Sequence, residues 1–274
     1  MKNLNTFIYE RLKICSNDDL KTLLTERLKI NKDSKLKKNE LLYCPANYND
    51  LFELMCDKVK EAKYKNLKVL DLNDIDVSKI DNFINLFYKL NIRLDIAPFD
   101  EIKIDEWDVS RVISFEKMFN GCDGIKKIDI SKWNVESCRN MNAMFNNCED
   151  LESVGDLGKW NTENLEVTEL MFSNCPKLKD VGNLNNWNVD KLHHASLMFS
   201  DCHSLTNVGD ISNWKLITMR NMIYMFEECK SLKKVGDLNK WQPYIDDLIR
   251  REGRSALNGF SRGAKFKKPK WDKI

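Results

Sequence analysis

The sequence is poor in the residues that carry most enzyme chemistry. Only three histidines occur in 274 residues: His193, His194 and His203. His203 follows Cys202, but one Cys-His neighbour pair lacks the third group that would orient it for nucleophilic work. No Gly-rich phosphate loop and no GxSxG nucleophile turn is present. There is no CxxC pair, so the nine cysteines do not fall at zinc-finger spacing. They read as buried thiols in a reducing compartment, with a disulfide framework or a metal site as the alternatives. No apolar run approaches the ~20 residues of a membrane span. The stretch MKNLNTFIYERLKICSNDDL mixes charge into every turn and has no apolar signal-peptide core. Net charge is +2, which removes any global pull toward nucleic acid or an anionic membrane. These absences point away from an enzyme, and no catalytic, cofactor or metal residues are assigned. They also imply no membrane partner and no secretion by a recognisable signal.

What the sequence has is a repeat. Trp107, Trp133, Trp160, Trp187, Trp214 and Trp241 are spaced 26, 27, 27, 27 and 27 residues apart. Twelve residues after each of the first five comes Phe preceded by Met: Phe119, Phe145, Phe172, Phe199 and Phe226. Three residues further on comes Cys: Cys122, Cys148, Cys175, Cys202 and Cys229. This period lies in the range of leucine-rich-repeat solenoids, in which each unit buries its core only against its neighbours. The array begins before its first Trp. Ile75-Asp76-Val77-Ser78 matches Trp107-Asp108-Val109-Ser110, and Phe87 lies twelve residues after Ile75. The next interval is 32 residues, with an insertion around Ala97-Pro98-Phe99. Twelve residues after Trp241 stands Gly253 instead of Phe, so the array is expected to end there.

Within a unit, apolar pairs such as Leu151/Val154 and Leu178/Val181 predict a short strand that stacks in parallel on its neighbours. Gly155, Gly182, Gly209 and Gly236 are inserted at the strand end, which suggests a bulge. After the Trp, Met141, Met144, Phe145 and Cys148 fall at i, i+3, i+4 and i+7, which predicts a helix. Asp129, Asp156, Asn183, Asp210 and Asp237 occupy one column, four residues before each Trp. At about 4.8 Å per rung the carboxylates would repel one another. Either they bind a cation or a basic partner, or each accepts hydrogen bonds from its own turn.

The expected fold is therefore α/β: a leucine-rich-repeat-like solenoid of 26–27-residue strand-turn-helix units with a helical N-terminal extension and cap. Residues 1–38 form the extension, a helical hairpin or a recruitment tag in which Glu-Arg-Leu-Lys-Ile occurs at 10–14 and again at 26–30. Residues 39–66 hold a capping helix over 47–63, started by Asn47 or Asn49. The array spans 67–249, with a closing helix near Tyr244–Ile249, and 250–274 form a basic tail, disordered or draped over the last repeat. That tail carries nine Arg or Lys against Glu252 and Asp272.

The unit IDISKWNVESCRNMNAMFNNCEDL resembles the BspA-type leucine-rich repeat, whose units read roughly D-L-S-x-W-D-V-S-x-V-x-x-M-x-x-M-F, over about residues 67–243. The resemblance implies an α/β solenoid with a protein-binding role. Relatives of that type are often surface proteins of bacteria or protozoa with secretion signals and anchors, neither of which is visible here. The order of INKDSKLKK, NDLFELMCDKVKEA and LNDIDVSKI is similar to repeat proteins encoded by tailed phages of gut bacteria. That similarity implies a phage-encoded protein, cytoplasmic in a bacterial host or associated with the virion. The functional expectation is a non-enzymatic repeat scaffold or adaptor that binds a protein partner. A structural or cargo component of a phage virion is one alternative. A nucleic-acid-associated protein using the 250–274 tail is another. The partner surface is expected on the outward residues of the strands: Lys126, Lys127 and Asp129; Glu152, Ser153 and Asp156; Lys179, Asp180 and Asn183; Thr206, Asn207 and Asp210; and Lys233, Lys234 and Asp237. Its Lys-rich ends and more neutral centre suggest a partner with acidic patches. No oligomeric state follows from the sequence.

Overall fold

The computed structural model describes residues 43–272. The helical extension expected over 1–38, with both Glu-Arg-Leu-Lys-Ile segments, lies outside the described residues. The first helix, α1 (Tyr48–Tyr64), starts at Asn47, whose side chain accepts hydrogen bonds from the Asn49 and Asp50 amides. That satisfies two of the N–H groups a helix start leaves without partners. Leu51, Met55, Val59 and Ala62 form its buried stripe. The stripe lies against β1 (Val69–Asp71) and α2 (Leu86–Leu94). Lys63 Nζ donates to the carbonyls of Leu94 at 2.9 Å and Asp95 at 3.0 Å, at the negative end of the α2 dipole.

The chain then climbs through successive coils joined by two parallel ladders. In the first, β1 pairs with β2 (Glu101–Lys103) and β2 with β3 (Lys127–Ile128). The pairing continues rung by rung from Lys127 to Ser153, Asp180, Asn207 and Lys234. The second ladder runs Asn82, Ser114, Asn140, Val167, His194, Asn221. Between the ladders the apolar columns stack. Phe119 lies 5.0 Å from Phe145, Phe145 5.3 Å from Phe172, Phe172 5.6 Å from Phe199, and Phe199 5.5 Å from Phe226. Trp160, Trp187, Trp214 and Trp241 stack at 6.1, 6.3 and 6.2 Å.

Burial alone does not account for the Trp column. Each indole N–H donates to a carbonyl one coil back: Trp107 to Leu72, Trp133 to Ile104, Trp160 to Ile130, Trp187 to Leu157, Trp214 to Leu184 and Trp241 to Ile211. A buried indole nitrogen needs such a partner. The Cys column does likewise, with Cys148, Cys175, Cys202 and Cys229 Sγ at 3.0–3.1 Å from the carbonyls of Phe119, Phe145, Phe172 and Phe199.

Three expectations from the sequence are corrected. The Met-Phe-Cys segments are not helices but chains of tight turns. In the coil containing Met141, the amides of Met144, Asn146 and Cys148 donate to Met141, Ala143 and Phe145, three residues back. The alternate amides, of Met141, Ala143, Phe145 and Asn147, donate to Val167, Glu169, Met171 and Ser173 of the next coil. An α-helix would send all of them four residues back within the segment. Ala143, Leu170, Leu197 and Tyr224 sit at φ 52 to 58, a left-handed conformation that breaks any helix. The unit is thus strand-and-turn, and α2 is the one helix among the described residues that occupies this place.

Second, the inserted glycines do not simply mark bulges. They stand at φ 81 to 84 before a 3-10 turn whose first residue is Leu157, Leu184, Ile211 or Leu238. Third, the array does not end at Trp241. α3 (Gln242–Glu252) is inserted there, and the chain then builds one more coil. The amides of Met222, Tyr224, Phe226 and Glu228 donate to Ala256, Asn258, Phe260 and Arg262, as in the coils from Phe115 onward. Trp271 stacks on Trp241 at 6.3 Å and donates to the Leu238 carbonyl at 3.1 Å. The described part of the 250–274 tail is therefore ordered, with Leu257, Phe260, Phe266 and Trp271 buried over the last repeat.

Candidate functional site: the exposed rungs

The residues expected at the partner surface lie on the first ladder and on the turns that flank it, and none of the fifteen lies in the core. Lys126, Lys127, Asp156, Lys179, Asp180, Asn183, Thr206, Asp210, Lys233, Lys234 and Asp237 are exposed. Asp129, Glu152, Ser153 and Asn207 are half-buried. Strand alternation turns Ile128, Val154, Val181, Val208 and Val235 inward and their polar neighbours outward. Seven rungs, from Val69 to Lys234, make a strip roughly 29 Å long at strand spacing.

The rung residues pair along the stack. Lys126 meets Asp100 at 2.7 Å and Lys127 meets Glu101 at 3.0 Å. Glu152 pairs with Lys179. These partners hold Lys126 and Lys127 above the usual lysine range and Asp100 and Glu152 below the usual carboxylate range. The N-terminal end of the strip is therefore neutralised, which corrects the picture of two Lys-rich ends. Asp100 and Glu101 stand 26 residues before Lys126 and Lys127. Extending the period one unit back would have found them, but the insertion around Ala97 hides the register.

The Asx column turns inward on its own backbone. Asp129, Asp156, Asn183, Asp210 and Asp237 each accept from the amide two residues on, at 2.9–3.2 Å. Hydrogen bonds from Ser212 and Asn239 lower the Asp210 and Asp237 carboxyls. Their oxygens also explain the glycines. A Cβ on Gly182, Gly209 or Gly236 would lie 1.8–1.9 Å from the Asx oxygen of the preceding coil.

Among the described residues, no group of three or more His, Cys, Asp or Glu is placed to hold a metal ion, and no helix is long and apolar enough to cross a membrane. The buried cysteines Cys56, Cys122, Cys138, Cys148, Cys175, Cys202 and Cys229 form no disulfide among the described residues. Burial raises the thiol of Cys138 to about 12 and pushes Cys122, Cys148 and Cys202 well above the ordinary range. His193 and His194 belong to the second ladder, and His203 lies 3.5 Å from Asp201. The sequence reading missed that second ladder. Its clue was the repeated polar residue seven positions after Trp107, Trp133, Trp187 and Trp214.

These coils define a repeat array with a conserved interior scheme and a variable exterior. The chain belongs to the family described as Mycoplasma protein of unknown function, DUF285, whose model matches residues 54–181, 94–208 and 152–247. A solved leucine-rich repeat protein from Eubacterium ventriosum ATCC 27560 is similar to 76% of this chain at 14% identity, with a TM-score of 0.37. The chain spans about half of that protein, 49% of its length. No curated protein matches the chain.

Proposed function

We propose that this chain is a non-enzymatic protein-binding scaffold, a BspA-type leucine-rich-repeat solenoid that presents its first ladder to a protein partner. One contrast carries the reading. Inside, the columns repeat Trp, Met-Phe and Cys, and from Cys148 to Cys229 the indole and thiol bonds recur coil after coil. Outside, the row Lys127, Ser153, Asp180, Asn207, Lys234 changes chemistry at every rung on one continuous ladder. A stack held by identical interior contacts leaves its surface residues free to vary, which is what a recognition strip requires.

The test changes the centre of the strip. Ser153→Arg, Lys179→Glu and Thr206→Arg together alter charge and size on three adjacent coils. Substitutions at exposed Lys179 and Thr206 cost within about 0.5 kcal/mol each, and half-buried Ser153, whose hydroxyl accepts from the Gly155 amide at 3.3 Å, adds about 1 kcal/mol, so the array should stay folded, as a thermal melt would show. Proteins captured from native lysate by the parent and lost by the variant, followed by binding of the purified partner, support the reading. A variant that keeps every partner places binding elsewhere.

A further inference from the structure

We propose that the C-terminal corner of the array binds the phosphate backbone of a nucleic acid. Lysines on the earlier rungs have carboxylates on a neighbouring coil: Asp100 for Lys126, Glu101 for Lys127, Glu152 for Lys179. That arrangement stops at the last rung. Lys233 and Lys234 are exposed and, among the described residues, form no ion pair. The coil that follows adds Lys267, Lys268 and Lys270, also exposed and also without ion pairs.

The fold gathers these charges instead of leaving them on a loose tail. Trp271 is fixed on Trp241, and the Lys270 amide donates to Asn239 Oδ1 at 2.9 Å. Lys267 and Lys240 are both near enough to Asp237 to act on its carboxyl. The acids at this corner are engaged: Asp237 accepts from Asn239, and half-buried Asp272 is bonded by Ser261. Six lysines thus face solvent with little opposing charge.

The composition of the corner selects the partner. Lysine ammoniums are compact point charges without the fixed fork that matches single carboxylates, and they suit a row of phosphates. Phe266 and Trp271 are buried, so the corner offers neither an apolar wedge for a lipid surface nor a platform for base stacking. Binding is therefore to the backbone, independent of sequence and strongly dependent on salt. The inference does not rest on protein binding along the middle rungs.

The experiment uses the full chain and fluorescence anisotropy with four probes: a short DNA duplex, the matching RNA duplex, a polyglutamate peptide and anionic lipid vesicles. Both duplexes are expected to bind, with affinity falling about a thousandfold between about 50 and 200 mM salt if six phosphates are engaged. Replacing Lys267, Lys268 and Lys270 with Ser should flatten the log–log salt slope by roughly 0.9 per lysine, about 2.7 in all. Lys233→Ser with Lys234→Ser, on the already folded last rung, should flatten it by about 1.8. Lys159→Ser with Lys215→Ser, equal in charge but elsewhere, should leave the slope unchanged. Absence of duplex binding at about 50 mM salt overturns the proposal. So does equal loss in the control variant, or binding of polyglutamate or vesicles as tight as that of the duplexes.

Discussion

Gly182→Ala tests how the coils are locked together. Gly182 stands at φ +84, and a Cβ there would lie 1.8 Å from Asp156 Oδ1 and 2.9 Å from Asp156 Cα. The left-handed backbone costs a non-glycine residue roughly 1–2 kcal/mol. The carboxylate must also swing away, giving up its 2.9 Å bond from the Gly158 amide at the start of the 3-10 turn. Loss of such a cap costs about 1 kcal/mol. The contact with Asp156 Cα is with backbone and forces a further shift, so the total should reach about 3 kcal/mol. Asp156→Ala alone should cost only about 1 kcal/mol. In the double variant the cap is lost once, not twice, so its cost should fall short of the sum by about 1 kcal/mol. Asn tolerates left-handed φ but carries the same Cβ, so Gly182→Asn should be nearly as damaging as alanine. Urea unfolding followed by far-UV circular dichroism and indole fluorescence gives all four values. A Gly182→Ala protein within about 1 kcal/mol of the parent, a strictly additive cycle, or full rescue by asparagine would refute the proposed close approach.

Two further outcomes follow from the same contacts. Truncation before Gly253 removes the coil that covers Trp241 and Phe226, so the shortened protein should bind a hydrophobic dye and self-associate; a monodisperse product with parental stability would show the last coil to be dispensable. The buried thiols have folded pKa values raised above the ordinary 9.0 of a cysteine. Their contribution is complete below pH 9 and is lost as pH rises toward the folded values. The urea midpoint should therefore fall between pH 8 and pH 10.5, and fall less after Cys148→Ala and Cys202→Ala; a flat profile would show that the thiols are not buried as described.

Much of the core was legible in the sequence because a stacked repeat uses the same side chain at the same place in every coil. The Trp, Phe and Cys columns, the inward Val and Leu positions and the outward rungs all follow from a fixed period and strand alternation. The Asx column was legible too, since a short polar side chain before a turn bonds its own backbone. Local spacing was ambiguous for the Met-Phe-Cys segments. Linked three-residue turns place apolar residues at i, i+3, i+4 and i+7 as a helix does, and only the hydrogen bonds to the next coil separate the two. The final coil was hidden because α3 pushes Phe260 to 34 residues after Phe226 and Trp271 to 30 after Trp241. What the sequence determined by itself was the periodic interior, because burial acts on each coil alike. What only the tertiary structure decided was the pairing between coils. It neutralises Lys126 and Lys127 but leaves Lys233 and Lys234 open, because a charge is balanced by its neighbours in space.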